Sequence, residues 1–226
     1  MKRKIKINFI ITGTLFLLFI LFTIAVVKID VKPIGPDGSQ IGLSTLNKLV
    51  FDFFGVSSAW NIVTDILAVI SCLVALFFAI IGLVQLIKFK SIKKVDYRIV
   101  LLGAFYLVVV FCILLFELIV VNYRPIIIND GLGSAYPSTH TLMVLCIMIT
   151  AIFQFKYLIN NKAVLIVVDT VSCVIVVVTI IGRLISGVHW FTDILGGILL
   201  GSSLIMLYYS FMKYFEREHN RTPIAQ

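Results

Sequence analysis

Three short polar stretches interrupt an otherwise strongly apolar chain, and their side chains could bind and transfer an anionic group. The stretches cover residues 122–125, 136–140 and 182–193. They hold two arginines, two of the chain's three histidines and an aspartate: Arg124, Arg183, His140, His189 and Asp193. Arginine offers a planar donor fork that matches phosphate oxygens, and histidine exchanges protons near neutral pH. If these side chains meet in space, they form a site for an anion.

The spacing of His189 and Asp193 favours a nucleophilic histidine. The two residues are four apart at the expected start of a helix, so their side chains share one face within hydrogen-bonding reach. A carboxylate that accepts from one ring nitrogen leaves the other with a free lone pair and stabilises the charge that develops. An aspartate at a helix start that pairs with a surface histidine has the same spacing. The pair alone does not separate these interpretations.

Transfer of a phosphoryl group requires fixed donors for its oxygens and an acid for the leaving group. Arg124, Arg183 and Ser138 suit the first task. His140 suits the second, because it could protonate the leaving oxygen and then activate water against a phosphohistidine. Simpler interpretations exist: either arginine could reach to lipid headgroups, and Ser138, which follows Pro137, could merely cap a helix. The chain offers no acidic cluster for a metal, so neither metal nor cofactor is expected.

Composition and run lengths predict the helices that must position these residues. Hydrophobic residues make up 61% of the 226 positions and charged residues 13%, against about 25% charged in soluble domains. Several apolar runs reach the roughly 20 residues that cross a bilayer as a helix. We therefore expect one all-α domain over residues 1–226, a bundle of six transmembrane helices with its catalytic motifs within 117–193. The predicted spans lie near 7–27, 59–87, 98–121, 141–159, 164–185 and 192–215.

Charge distribution predicts the orientation. Six crossings put both termini on one side, and 14 of the 19 lysines and arginines fall there. Only five fall opposite: Lys28, Lys32, Lys48, Arg124 and Arg183. The positive-inside rule then places the termini in the cytoplasm and the polar stretches at the extracytoplasmic face. The net charge of +8 is thus explained by topology, and no nucleic-acid partner is expected. The composition suits a bacterial inner membrane.

The connection between the first two spans contains a second kind of helix. Five large apolar residues recur there at helical spacing: Leu46, Leu49, Val50, Phe53 and Phe54. Polar residues lie between them. This pattern predicts an amphipathic helix in the outer membrane interface.

The three polar stretches resemble the signature of the phosphatidic acid phosphatase type 2 (PAP2) superfamily. These membrane lipid phosphatases share their site with bacterial acid phosphatases and vanadium haloperoxidases. The signature reads Lys-x6-Arg-Pro, Pro-Ser-Gly-His and Ser-Arg-x5-His-x3-Asp. It is matched by Arg124 and Pro125, by Pro137, Ser138 and His140, and by Arg183, His189 and Asp193. The resemblance implies that His189 is the nucleophile, Asp193 its orienting partner and His140 the acid. It also implies that the phosphate is bound by Arg124, Arg183, Ser138 and Thr139.

Three positions depart from that signature. Thr139 replaces a glycine and would crowd the phosphate at one backbone amide. Gly182 replaces a serine and removes one hydroxyl. Glu117 stands where the family has a phosphate-binding lysine, and its carboxylate would repel phosphate unless it is protonated or paired.

Two alternatives follow for Glu117. It could pair with Arg124 or Arg183 and tune it, or the altered site could handle a different substrate or turn over poorly. A purely structural acid is less attractive, because an intramembrane charge costs about 2.5–3.5 kcal/mol. Asp65, near the outer end of the second span, is another carboxylate that could touch the same region.

By resemblance, the expected activity is that of a metal-independent phosphatase acting through a phosphohistidine on a lipid phosphomonoester or diphosphate. Undecaprenyl diphosphate is the leading candidate, followed by phosphatidylglycerophosphate and phosphatidic acid. The partners expected are this lipid phosphate and membrane lipids. An inactive homologue that binds phospholipid, or a lipid phosphotransferase, remains an alternative. The sequence does not indicate an oligomeric state.

Overall fold

The apolar runs form helices that begin and end at polar residues. The structure, a computed structural model, describes residues 2–127 and 131–219. In these two ranges it contains seven α-helices and no strand beyond isolated bridges. The helices are α1 (Lys2–Lys28), α2 (Ser44–Phe54), α3 (Ser58–Phe89), α4 (Tyr97–Leu118), α5 (Thr139–Leu158), α6 (Lys162–Ser186) and α7 (Phe191–His219). All except α2 are long and apolar enough to cross a membrane, which confirms the predicted six-span, all-α fold.

Local capping explains several of the helix boundaries. Asp96 accepts a hydrogen bond from the backbone N–H of Arg98 at the start of α4, and Asn161 caps α6 in the same way. Lys90 ends α3 in a left-handed conformation with φ of 51°. The predicted limits of the spans agree within a few residues. The largest difference at the site is the end of α4, which comes at Leu118 instead of residue 121.

Helices α5 and α7 form the centre of the bundle. In their most apolar 18-residue windows, 56% and 50% of the residues are buried, against 17% in α1 and α3. Helix α7 packs against α1 and α5, and α5 also packs against α3 and α6. The outer helices expose large apolar side chains such as Leu107, which is 73% exposed. Such a surface is suited to hydrocarbon, since the helices satisfy their own backbone hydrogen bonds.

Small residues at the start of α7 allow it to approach α5 closely. A Cβ atom at Gly196 would lie 2.5 Å from the ring of Tyr136, and one at Gly197 would lie 3.0 Å from the backbone oxygen of Ser138. Close helix approach through small residues is typical of membrane bundles. Here it lets the backbone N–H of Ser138 donate to the backbone oxygen of Asp193 at 2.9 Å. The second and third polar stretches are therefore held side by side.

The amphipathic helix between the first two spans is present as α2. Its apolar face is exposed, with Leu49 at 69% and Phe53 at 80%, as expected for a helix whose apolar side meets lipid. Asn47, which the pattern placed among the polar residues of this helix, is fully buried against the bundle. Helix α2 thus turns one amide inward and its large apolar side chains outward.

Candidate active site

The third polar stretch forms a turn that buries His189 beside the start of α7. Gly187 has a φ of +67°, and a Cβ atom there would lie 2.3 Å from the backbone oxygen of Gly55. Glycine is therefore required both for the left-handed conformation and for the close packing. His189 is 3% exposed and Asp193 is fully buried. Nδ1 of His189 lies 3.7 Å from Oδ2 of Asp193, an ion-pair distance that is too long for a hydrogen bond.

The carboxylate of Asp193 is fixed by other donors. Its Oδ2 accepts from the backbone N–H of Trp190 at 2.8 Å, and its Oδ1 accepts from Nδ2 of Asn122 at 3.2 Å. The indole N–H of Trp190 donates to the backbone oxygen of Tyr123 at 2.8 Å. These bonds join the first and third polar stretches. They fix the carboxylate of Asp193 beside the imidazole of His189.

A second amide supports the same region from α2. Nδ2 of Asn47 donates to Oγ1 of Thr192 at 2.9 Å, and Oδ1 of Asn47 accepts from the backbone N–H of Thr192 at 3.1 Å. This reciprocal pair fixes α2 on the start of α7, next to Asp193. Sequence reasoning missed it because the two residues are 145 positions apart and neither belongs to a recognisable motif.

Ser138 lies at the start of α5 but does not act as a side-chain cap. It occupies the N-cap position and is fully buried, yet its hydroxyl accepts no backbone N–H of the helix. Instead the hydroxyl accepts from Oγ1 of Thr141 at 3.1 Å. The simple capping interpretation is therefore not realised. Thr139, the next residue, lines a small cleft together with Glu117 and Ser134.

His140 contacts a carboxylate that comes from outside the three stretches. Its Nε2 lies 3.0 Å from Oδ1 of Asp65 in α3. Its Nδ1 is buried and has no hydrogen-bond partner. The expectation that Asp65 could touch this region is thus met by a direct contact.

Arg183 is buried inside the protein instead of reaching to lipid headgroups. Its side chain is 1% exposed, and its Nη1 donates to Oδ1 of Asn61 at 2.8 Å and to Oγ1 of Thr64 at 3.2 Å. Nε, on the other edge of the guanidinium, is buried without a partner. Gly182 makes this arrangement possible, because a Cβ atom there would lie 2.6 Å from Cγ2 of Thr64. The serine of the family signature would collide with α3 at this position.

Arg124 completes the positive side of the site. It is partly exposed, and its Nε donates to the backbone oxygen of Ser134 at 3.2 Å. Its charge lies close enough to influence both His189 and Arg183. Two guanidinium groups thus lie near enough to the buried imidazole of His189 to act on its charge.

These surroundings favour a neutral His189. Burial, followed by the charges of Arg183 and Arg124, lowers the pKa of the His189 imidazole well below its ordinary value. Neither ring nitrogen has a hydrogen-bond partner of good geometry, although the backbone of Ala135 lies close. A buried imidazole that is kept neutral by nearby arginines has an available lone pair. It is suited to attack an anionic centre that the arginines attract.

Glu117 is exposed at the end of α4. Within the part of the chain that the structure describes, it forms no ion pair, so the first of the two alternatives, pairing with Arg124 or Arg183, is not found. The positive charge of the family lysine is absent from this position. Among the described residues, no three His, Cys, Asp or Glu side chains gather as metal ligands would.

Comparison with known proteins agrees with this architecture. The crystal structure of a protein described as the first transmembrane PAP2 type phosphatidylglycerolphosphate phosphatase from Bacillus subtilis matches with a TM-score of 0.59 and 22% identity, covering 90% of this chain and 96% of that one. At this identity the likeness shows the fold alone. No curated protein sequence matches the chain. The six apolar spans make it an integral membrane protein. The family model of the PAP2 superfamily matches residues 104–217, just over half of the chain and all three polar stretches, so the chain belongs to the PAP2 superfamily.

Proposed function

We propose that this protein is a membrane lipid phosphatase that transfers a phosphoryl group from an amphiphilic lipid to His189 and then to water. The observation that carries the proposal is the setting of His189: the imidazole is buried near the charges of Arg183 and Arg124, lies 3.7 Å from the fixed carboxylate of Asp193, and has no well-formed hydrogen bond to any described residue. A structural histidine in such a position would be expected to have its nitrogens satisfied.

The first chemical step forms a phosphohistidine. A ring nitrogen of His189 attacks phosphorus while the bond between phosphorus and the lipid oxygen breaks, and protonated His140 gives its proton to that oxygen. Arg124 and Arg183 stabilise the charge on the equatorial oxygens, and Asp193 stabilises the charge that develops on His189. The lipid leaves as an alcohol from a monoester, or as a monophosphate from a diphosphate.

The second step returns the enzyme to its starting state. Neutral His140 accepts a proton from water as the water oxygen attacks phosphorus and the bond to His189 breaks. Inorganic phosphate leaves, His189 is neutral again and His140 is protonated. The chemistry in both steps is supplied by side chains of this chain, and we propose that it needs no metal or cofactor.

The position of the site in the bundle supports a lipid substrate. It is built from the starts of α3, α5 and α7 and the ends of α4 and α6, all at one end of the bundle. A phosphate at this level can meet the arginines while its apolar tail stays in the bilayer. Undecaprenyl diphosphate is the leading candidate, with phosphatidylglycerophosphate and phosphatidic acid next. Phosphatidylglycerophosphate is also the lipid for which the Bacillus subtilis phosphatase is named.

Charge at the opposite end supports an extracytoplasmic site. Lys88 and Lys90 lie at the end of α3, Lys156 near the end of α5, and Lys213 and Arg217 in the last turns of α7. The positive-inside rule places this basic end, and with it both termini, in the cytoplasm. Arg221, which the sequence assigns to the same side, lies outside the described residues.

Glu117 favours a second candidate function. Without the family lysine and without an arginine partner for Glu117, the site has one fixed cation fewer and an extra exposed acid nearby. A weak or inactive homologue that binds phospholipid, or a transferase that passes the phosphoryl group to an alcohol, would tolerate this change.

One experiment separates these functions. The purified protein is incubated with each lipid phosphate, and both inorganic phosphate and phosphorylated alcohol acceptors are measured. We expect phosphate release by the wild type and its loss in His189→Ala. His219→Ala, which removes the exposed histidine at the far end of α7, is the matched control and should retain activity. Labelling of an acceptor would indicate the transferase, and binding without turnover the inactive homologue.

A further inference from the structure

One turn of α3 presents three polar side chains to the site, outside the three signature stretches and outside the region that the family model matches. Asn61, Thr64 and Asp65 are spaced by three and four residues, so they share one helix face. Polar residues on a membrane span are expensive and point to function by default. Asn61 and Thr64 hold Arg183, as described above, which leaves the task of Asp65 to be explained.

Asp65 has two contacts in the site and one within its own helix. Its Oδ1 lies 3.0 Å from Nε2 of His140 and 3.5 Å from Nη1 of Arg183, and its Oδ2 accepts from Nδ2 of Asn61 at 3.1 Å. The shortest of these contacts is the one to His140. The side chain of Asp65 is 48% exposed, against 26% for His140 and 1% for Arg183.

The contact determines which nitrogen of His140 remains for the substrate. A lone pair on Nε2 would be repelled by a carboxylate oxygen at 3.0 Å, so Nε2 carries a proton and donates it to Asp65. Nδ1 is then the nitrogen that can give or accept a proton in the reaction. Nδ1 is buried and has no hydrogen-bond partner among the described residues, so it is not committed to another protein group.

The surroundings of His140 explain why its protonated form needs a nearby carboxylate. Burial of the ring, together with the charges of Arg183 on α6 and Arg124 after α4, disfavours a positive imidazole, whereas the carboxylate of Asp65 on α3 favours it. His189, in the turn before α7, lies close enough to His140 for their charges to interact. Asp193 on α7 and Glu117 on α4 form no ion pair with His140. Asp65 is therefore the carboxylate placed to sustain the acid form against two guanidinium groups.

Resting on the proposed phosphatase function, we propose that Asp65 is a positioning residue for the general acid, holding Nε2–H of His140 and favouring the imidazolium so that Nδ1 protonates the leaving oxygen. When the bond between phosphorus and oxygen breaks, the proton on Nδ1 passes to the leaving group and His140 becomes neutral, with its Nε2 proton still donated to Asp65. In the second step Nδ1 accepts the proton from water. Asp65 keeps its charge throughout.

The test compares two substrates with matched tails, dodecyl phosphate and 4-dodecyl-2-nitrophenyl phosphate. The alkyl oxygen needs a proton to leave, whereas the nitrophenolate does not. General acid catalysis contributes about 10²- to 10⁴-fold, so Asp65→Asn should lower kcat/KM for the alkyl ester by at least about tenfold. For the aryl ester we expect a change of less than about threefold, because no proton transfer is lost there.

Two further variants test whether Asp65 acts on catalysis through His140. In a His140→Ala background, Asp65→Asn should add little to the loss for the alkyl ester, since residues that act through each other are not additive. Asp52→Asn is the matched control: Asp52 is exposed on α2 to a similar extent and pairs with Lys48, and its loss should leave kcat/KM for both substrates unchanged.

The outcomes separate this inference from the function on which it rests. If the wild type releases no phosphate from either ester, the proposed function fails, and the role of Asp65 fails with it. If the wild type turns over but Asp65→Asn affects both esters equally, only the inference fails. The inference also fails if Asp65→Asn lowers KM and strengthens vanadate inhibition while kcat stays unchanged. That result would show that the carboxylate of Asp65 competes with the substrate phosphate for Arg183.

Discussion

Asn122 provides a sharp test of how the nucleophile is oriented. Its amide is 1% exposed and donates to Oδ1 of Asp193 at 3.2 Å, with longer contacts of 3.4 Å to Thr192 and to the backbone N–H of Gly42. A hydrogen bond to a charged group contributes about 1.5–3 kcal/mol. If that contribution acts mainly in the transition state, Asn122→Ala lowers kcat/KM by about 10- to 150-fold.

The assay is phosphate release from a lipid phosphate by detergent-solubilised protein, with Tm measured on the same samples. Asn122→Asp should lose more activity than Asn122→Ala, since a second acid would face Asp193 across the same short distance. Asn161→Ala is the matched control, because that asparagine caps α6 far from the site and its loss should reduce Tm without affecting kcat/KM. Activity of Asn122→Ala within twofold of wild type, at equal Tm, would refute the proposed orientation of Asp193.

Four further outcomes are expected. Burial and two arginines lower the pKa of His189, so its imidazole stays neutral at pH values below the ordinary titration range of histidine. Protonation of His189 should therefore lower kcat/KM only at pH values more acidic than that range. A fall in kcat/KM caused by His189 at or above its ordinary pKa would contradict this. Gly182→Ala places a Cβ atom 2.6 Å from Cγ2 of Thr64, so it should lower the free energy of unfolding by about 1–3 kcal/mol and reduce both Tm and activity. An unchanged Tm would show that α3 can move away. Glu117→Lys should keep or raise activity, measured as kcat/KM, because the acid is exposed and forms no ion pair with any described residue; a collapse of activity would mean that Glu117 has a task of its own. EDTA should leave turnover unchanged and vanadate should inhibit it, and a strict requirement for added magnesium would count against the mechanism.

The helices were predictable because the signals that form them are local. Each span is a long apolar run bounded by charged or capping residues, and neither feature depends on the rest of the fold. The apolar run predicts that α4 continues to residue 121, whereas the helix ends at Leu118, because residues 119–121 are apolar but already turn toward Asn122. The amphipathic helix α2 was predictable from its spacing, but the burial of Asn47 depends on a contact with α7.

The site was predictable only in part, because some of its residues are marked by local sequence patterns and others only by contacts between distant parts of the chain. Arg124, His140 and His189 lie in dense polar stretches that stand out in an apolar sequence. The contributions of α3 come from single polar residues inside an apolar run, and their partners are more than 70 positions away. The spacing of Asn61 and Asp65 on one face of a membrane span was the available signal. The glycine at position 182 is explained by a contact between helices, because Thr64 of α3 occupies the space that a side chain at this position would need.

Trapping of the phosphohistidine tests the central claim most directly. The protein is mixed with a ³²P-labelled aryl lipid phosphate, quenched in alkali within the first turnover and digested, and the labelled peptide is identified. We predict an acid-labile label on His189 in the wild type, and neither label nor turnover in His189→Ala. Phosphate release without a label on His189, or turnover that survives in His189→Ala, would contradict the account.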